Sequence, residues 1–215
     1  MAALWTVIRT LLYPEHAGCA GCGAMRVDRT EWGLCEPCAQ RLEAMHAPEE
    51  GLHGTAVLQE AYCPYPYAGI VKTLVRALKY NSVIPAANAL ADGMASSLPS
   101  GAYDVLVPVP LYRTRQRQRG FNQAEVLCQA LSARTGIPVL DALTRVRHTH
   151  TQTHLTREGR AENVRDAFLA EQAVAELSVV LVDDVLTTGA TAEDCARALR
   201  EAGARNVVLL TAARG

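Results

Sequence analysis

Two adjacent carboxylates, Asp183 and Asp184, stand just ahead of Thr187, Thr188, Gly189, Ala190 and Thr191. Each group has a chemistry of its own. Small hydroxyl residues and a glycine at a helix start leave backbone N–H groups open to an anion, and the positive end of the helix dipole favours a phosphate there. Paired carboxylates accept hydrogen bonds from vicinal hydroxyls of a sugar. A phosphate cradle beside a diol site describes a pocket for a ribose 5-phosphate. The competing reading is that Asp-Asp only solvates a strand end, before a polar turn of the kind found in any α/β protein.

A second set of residues points to a metal. Cys19-Ala-Gly-Cys22 and Cys35-Glu-Pro-Cys38 are two C-x-x-C pairs twelve residues apart. Two knuckles of this kind bring four thiolates to one tetrahedral site, which zinc suits as a borderline-soft ion with a filled d shell. No open ligand position is expected, so the zinc reads as structural. The segment holds too few large apolar residues to fold without it. A redox C-x-x-C is the rival, disfavoured because the motif occurs twice at ribbon spacing. The seven cysteines are odd in number and clustered at one end, which fits metal binding in a reducing compartment better than a disulfide framework. His16 is read as a bystander.

The third set is basic. Arg113, Arg115, Arg117 and Arg119 follow Pro110-Leu-Tyr112, and Arg145, Arg147, His148, His150, His154, Arg157, Arg160 and Arg165 follow later against only Glu158 and Glu162. Alternate arginines repel one another unless they are solvated or face an anion. The first run is read as a loop leaving the carboxyl end of a strand, where open α/β sheets bind ligands. The second reads as a lid over the pocket or as a surface for a nucleic-acid strand. Its three histidines lack an acidic or cysteine partner at ligand spacing.

Elements must position these groups. Val179, Val180, Leu181 and Val182 form an unbroken apolar run, as in a central strand buried on both faces. The helical pattern of 191–202 follows, with Cys195, Ala198, Leu199 and Ala202 on one face and Gly203 as its stop. Strands are expected over 104–109 and 206–211. Helices are expected over 69–80, with Lys72, Arg76 and Lys79 opposite its apolar face, from Pro85 to Leu98, and from Asn122 to Gly136 with Asn122 and Glu125 in capping-box relation. Residues 39–68 look irregular, a linker and first edge of the main domain. Tyr62, Tyr65 and Tyr67 could stack on bases, but a half-buried edge strand is favoured. Leu4, Trp5, Ile8, Leu11 and Leu12 line one side of a short helix ended by Pro14, read as packing on its own chain.

At 215 residues the chain can hold one good-sized domain and a small appendage, divided here as 1–45 and 46–215. With 49% apolar and 20% charged residues it is globular rather than disordered, and a net charge of −1 selects no partner by itself. No apolar run reaches the length of a membrane span and the first 15 residues lack a cleavable leader, so a cytoplasmic location is the expectation.

The blocks also agree in order. The paired C-x-x-C motifs, Leu78-Lys79-Tyr80, Pro108-Val-Pro-Leu111, Arg119-Gly-Phe-Asn-Gln-Ala-Glu125 and Val182-Asp-Asp-Val-Leu-Thr-Thr-Gly-Ala-Thr191, with Thr151-Gln152, Leu155 and Arg160 to Asn163 between the last two, resemble the ComF family over nearly the whole chain. The 182–191 stretch resembles the phosphoribosyl-pyrophosphate signature of type I phosphoribosyltransferases. The resemblance implies a mostly parallel sheet flanked by helices, of the type I phosphoribosyltransferase kind, behind an N-terminal four-cysteine zinc-ribbon-like module. It implies that Asp183 and Asp184 hold ribose hydroxyls, that Thr187 to Thr191 cradle the 5-phosphate, and that Tyr112 and Arg113 handle pyrophosphate, with Lys79 also binding substrate. Mg²⁺ would arrive with the diphosphate. Implied too is a link to natural competence, with single-stranded DNA and the DNA-uptake machinery as partners and Arg115, Arg117, Arg119, Arg145 and Arg147 as contacts. The implied chemistry is displacement of pyrophosphate from the sugar by an unidentified acceptor. Thr187 stands where 6-oxopurine transferases carry an aspartate, which argues against purine salvage, and no N-terminal cysteine nucleophile of a glutamine amidotransferase is present. Two alternatives stay open: a non-catalytic single-strand-binding competence factor, and a nucleotide-metabolism transferase unrelated to DNA uptake.

Overall fold

The computed structural model describes residues 18–25, 28, 33–47, 49–53, 57–58, 60–81, 84–99, 101–146 and 167–215. The N-terminal amphipathic segment, His16, Arg147, His148, His150, Thr151, Gln152, His154, Leu155, Arg157, Arg160, Asn163 and Arg165 lie outside them.

The predicted aliphatic run is the centre of the molecule. Val179, Val180, Leu181 and Val182 are fully buried in strand β7, Ser178–Leu186. β7 lies between β4, Val105–Pro108, and β8, Asn206–Arg214, both parallel to it. β8 also pairs in parallel with β2, Glu60–Cys63, and with the two-residue β3, Tyr65–Pro66. β1, Glu49–His53, closes the far edge antiparallel to β2. The order is β1-β2-β8-β7-β4, a mostly parallel sheet as expected. A second, two-stranded sheet joins β5, Leu143–Arg145, to β6, Phe168–Ala170, antiparallel.

Helices cover both faces because parallel strands need crossover connections and carry apolar side chains on each side. On one face, α2 (Gly69–Asn81), α3 (Ile84–Ser97) and α5 (Gln123–Thr135) pack their Leu74, Leu78, Leu90, Met94, Leu127 and Leu131 against Val180, Val182 and Leu210. On the other, α6 (Ala190–Glu201) and the small sheet pack Cys195, Leu199 and Phe168 against Val179, Leu181 and Leu209. The four-cysteine segment and the short helix α1, Glu36–Glu43, join the first of these cores through Cys19, Leu34, Cys35, Cys38 and Leu42.

Three expectations are corrected. Residues 39–68 are not irregular throughout, since α1 and strands β1 to β3 occupy much of the span; glycines and prolines between such short elements hide their periodicity. β2 is an inner strand, so Tyr62 is buried rather than half-buried at an edge, and Tyr65, in β3 against β8, is buried too. The arginine run after β4 is a helix, α4 (Arg113–Arg119), capped by Gly120 in the left-handed region, and no α4 residue is buried. Strands β7 and β8 also run further than the apolar pattern suggested, because parallel pairing continues through Asp183↔Thr211 to Leu186↔Arg214.

The two ends of the sheet differ. At the amino ends of β4, β7 and β8, Arg205 reaches both Asp104 Oδ2 at 3.2 Å and Ser178 Oγ at 3.0 Å, while Ser178 N–H donates to Asp104 Oδ2 at 2.7 Å. The carboxyl ends open instead onto the turn 187–189 and α4. Among the described residues no helix is long and apolar enough to cross a membrane.

Candidate functional site

The turn after β7 is shaped by Gly189, which takes φ 79° as the residue before α6. An L side chain rarely adopts that angle, so glycine lets the chain swing from strand to helix within three residues. The first amides of α6 have no partner inside the helix. They border a hollow of about 50 Å³ lined by Asp183, Thr187, Thr188, Gly189, Ala190 and Thr191. The predicted phosphate cradle and one predicted carboxylate therefore share a single depression.

The two aspartates part company. Alternate residues of a strand face opposite ways. Asp183 continues the face of Val179 and Leu181, while Asp184 continues that of Val180 and Val182 and is 5% exposed. Asp184 Oδ1 pairs with Lys79 Nζ of α2 at 3.0 Å, and its Oδ2 has no hydrogen-bond partner among the described residues. Its N–H donates to Asp183 Oδ1 at 2.8 Å. Burial, and then the Asp184 charge, push Asp183 up to about 7, against smaller opposing pulls from that N–H, Lys79 and Arg145.

Lys79 departs from the solvent face assigned to Lys72 and Arg76. It follows the buried Val75 by one helical turn, so it flanks the apolar stripe and reaches inward. That spacing was the available signal for its role. No local pattern could name Asp184 as its partner, because the contact joins α2 to β7.

The arginines of α4 divide by face. Arg113 and Arg117, one turn apart, line an open hollow of about 380 Å³ with Gln116 and Gly120. Arg115, half-buried, adds its charge to the surroundings of Arg145, whose guanidinium lies over the Phe168 ring at 5.2 Å. Burial and then the Arg115 charge lower the Arg145 pKa, while Asp183 and Asp194 oppose that. Arg145 thus stands close enough to feel the Asp183 carboxylate. Tyr112 precedes α4 in extended conformation, and Arg119 ends the helix before Gly120. Asn122, which sequence reading used only as a cap, does two jobs. Its Oδ1 accepts from Ala124 N–H at 3.1 Å and its Nδ2 donates to Val109 C=O at 3.1 Å, so the end of β4 is tied to the start of α5.

At the other functional centre, the sulfurs of Cys19, Cys22, Cys35 and Cys38 all lie within 4.8 Å of one another. Cys19 Sγ accepts N–H bonds from Gly21 at 3.3 Å and Cys35 at 3.2 Å. Burial raises the Cys19 pKa, but backbone donors led by Cys35 outweigh it and bring it to about 6. Burial and the neighbouring thiols push Cys38 the other way. One thiolate-prepared knuckle facing a second, crowded one fits a tetrahedral cation such as zinc.

With this geometry in place, comparison with known proteins is informative. The DNA utilization protein YhgH of Salmonella typhi is 35% identical over 203 residues, covering 83% of this chain and 88% of that protein. Competence protein F of Haemophilus influenzae is 40% identical over 115 residues, about half of each chain. The chain belongs to the ComF family. Competence protein ComFC of Bacillus subtilis, 24% identical over 211 residues, covers 90% of this ComF chain and 82% of its own. No family model matches the chain. Among solved structures, the glutamine phosphoribosylpyrophosphate amidotransferase of B. subtilis is 25% identical over 59% of this chain and 26% of its own, with a TM-score of 0.41. An adenine phosphoribosyltransferase from Thermoanaerobacter pseudethanolicus is 13% identical over 82% and 99%, also at 0.41. The family assignment rests on the sequence relatives.

Proposed function

We propose that this ComF-family chain binds phosphoribosyl pyrophosphate or a related ribose 5-phosphate compound in the depression between Asp183 and the 187–191 turn, and that zinc fills the four-cysteine centre. One observation carries the sugar-phosphate reading: a carboxylate and the open amides of a helix start line the same small hollow. The helix end favours the phosphate, and Asp183 accepts from a ribose hydroxyl. Asp184, held by Lys79, keeps its remaining oxygen buried beside the same strand end. Arg113 and Arg117 lie on the element that follows the neighbouring strand, where they can meet a diphosphate. Bound Mg²⁺ would supply charge neutralisation of that diphosphate. The reaction consistent with these parts is transfer of the ribosyl phosphate group to an acceptor with loss of pyrophosphate, and relatives named for DNA utilization and competence support DNA uptake as the process served.

Calorimetric titration with phosphoribosyl pyrophosphate and Mg²⁺ tests the binding. Asp183→Asn should weaken it by about 1.5–3 kcal/mol, roughly tenfold or more, because a charged acceptor is lost. Inorganic phosphate should bind the variant no worse than the parent, whereas Thr188→Val should weaken both ligands. Equal affinity of parent and Asp183→Asn for the ribosyl ligand would defeat the diol assignment.

The raised pKa of Asp183 adds a pH signature. The ionised carboxylate is the stronger hydrogen-bond acceptor for a hydroxyl, so ribosyl affinity should rise as pH passes upward through about 7. Asp183→Asn, titrated alongside, removes this component and leaves that of the ligand phosphates. Stability moves oppositely. The folded pKa lies above the ordinary 3.8, so the contribution of this group is full below that value and is lost as pH rises through about 7. A parent-minus-variant difference in melting temperature that stays flat across this window would contradict the shift.

The exposed arginine face of α4 favours a second reading, contact with single-stranded DNA. Arg113→Gln with Arg117→Gln should lower the slope of log affinity against log salt by about 1.4, since each phosphate contact on a single strand contributes about 0.7. An unchanged slope removes these two residues from any such surface.

A further inference from the structure

The hollow of Asp183 extends onto the neighbouring strand. Leu209 and Thr211 of β8 line it together with Asp183 and the 187–191 turn, and Asp184 is not among its walls. Asp183 and Thr211 are register partners in the parallel β7–β8 ladder. Their backbones therefore stand about 4.8 Å apart, with both side chains on one face of the sheet. That face is the one on which Val207 and Leu209 pack with Val179 and Leu181.

Thr211 is the polar exception in its strand. The residues around it in β8, from Val207 to Ala213, are all apolar, and it is itself 1% exposed. A hydroxyl so deep in the sheet is costly unless it is hydrogen-bonded. Among the described residues its Oγ1 meets two groups, the Cys63 Sγ of β2 at 3.0 Å and the Ala213 C=O at 3.4 Å. When the hydroxyl gives its proton to Ala213 it accepts from the Cys63 thiol, and one acceptor lone pair is left over. Cys63, itself buried, thus fixes the hydroxyl at the back of the hollow.

We infer that Thr211 is the second sugar contact of this site: with Asp183 it receives the two neighbouring hydroxyls of a ribose, one acceptor from each strand. The inference rests on the sugar-phosphate reading of the hollow. It replaces the pairing that the sequence suggests. Asp183 and Asp184 are neighbours in the chain but face opposite sides of the sheet, whereas Asp183 and Thr211 are far apart in the chain and share a face. Two acceptors one strand spacing apart suit a vicinal diol, while the start of α6 serves the phosphate. A pentose that lacks one of the two hydroxyls leaves an acceptor unanswered, so the site selects ribose over 2-deoxyribose.

The experiment titrates ribose 5-phosphate, 2-deoxyribose 5-phosphate and inorganic phosphate into the full chain by calorimetry. The parent should bind ribose 5-phosphate about tenfold more tightly than the deoxy sugar. Thr211→Val keeps the shape and removes the hydroxyl. It should weaken ribose 5-phosphate about three- to tenfold and leave inorganic phosphate unchanged, and Thr211→Ser should restore the affinity. Loss of inorganic phosphate along with the sugar in Thr211→Val would mark the hydroxyl as structural and overturn the assignment. Full ribose 5-phosphate affinity in Thr211→Val, with Asp183→Asn still weakened, would overturn it while leaving the sugar-phosphate reading in place. Ribose 5-phosphate binding the parent no better than inorganic phosphate would end both.

Discussion

Lys79→Met should destabilise the folded protein by about 3–5 kcal/mol, the cost of leaving a buried charge without its partner. Asp184 is almost wholly buried, and Lys79 Nζ at 3.0 Å is its ion-pair partner. Methionine keeps much of the apolar stem of lysine, so lost packing contributes little. The loss should show as a lower urea midpoint at unchanged slope. Adding Asp184→Asn to Lys79→Met should recover a large part of it, because the orphaned charge is then gone. A drop of under about 1 kcal/mol would place the pair among ordinary surface salt bridges. The single variants also inform function. If Lys79 serves only to hold Asp184, ribosyl affinity should fall equally in Lys79→Met and Asp184→Asn.

The second large effect concerns the four-cysteine centre. Metal analysis should find about one zinc per chain in the parent and almost none in Cys19→Ser or Cys38→Ser. Structural zinc sites bind with apparent free energies of about 10–16 kcal/mol, which the fold holds only with the metal in place. Here the loss would not stay local. Leu34, Cys35 and Leu42 pack into the same core as Leu74, Leu78 and Leu90, so the melting temperature of the whole protein should fall with the metal. A fully folded, metal-free native protein would end the zinc reading.

Much of this was legible because the informative residues were local. Four aliphatics in a row identified β7, and a glycine among threonines identified the turn into α6, since both signals are carried by neighbours in sequence. The cysteine pairs were read from spacing alone, and the sulfurs do converge. What could not be read depends on contacts between distant segments or on competing periodicities. Alternating Arg and Gln over 113–119 mimics an extended loop, and only the structure shows a helix that sends Arg115 one way and Arg113 with Arg117 another. The inward turn of Lys79 required knowing that α2 crosses the end of β7. Asp183 and Asp184 look like a matched pair in sequence, yet the strand runs on through them and alternation separates them.

The place of β8 has a consequence for how the chain is made. β8 follows every other strand in sequence, but it sits inside the sheet, with β2 on one side and β7 on the other. Its partner Ala61 precedes Leu209 by nearly the whole length of the domain. As synthesis proceeds from the amino end, the cysteine knuckles, β1 and β2 emerge long before the strand that joins them to β7. Until β8 arrives, β2 and β7 each expose an unpaired, largely apolar edge, the kind of surface that invites association with other chains. Assembly of the sheet thus waits on the last strand, and until then helix packing is what shields the open edges of β2 and β7.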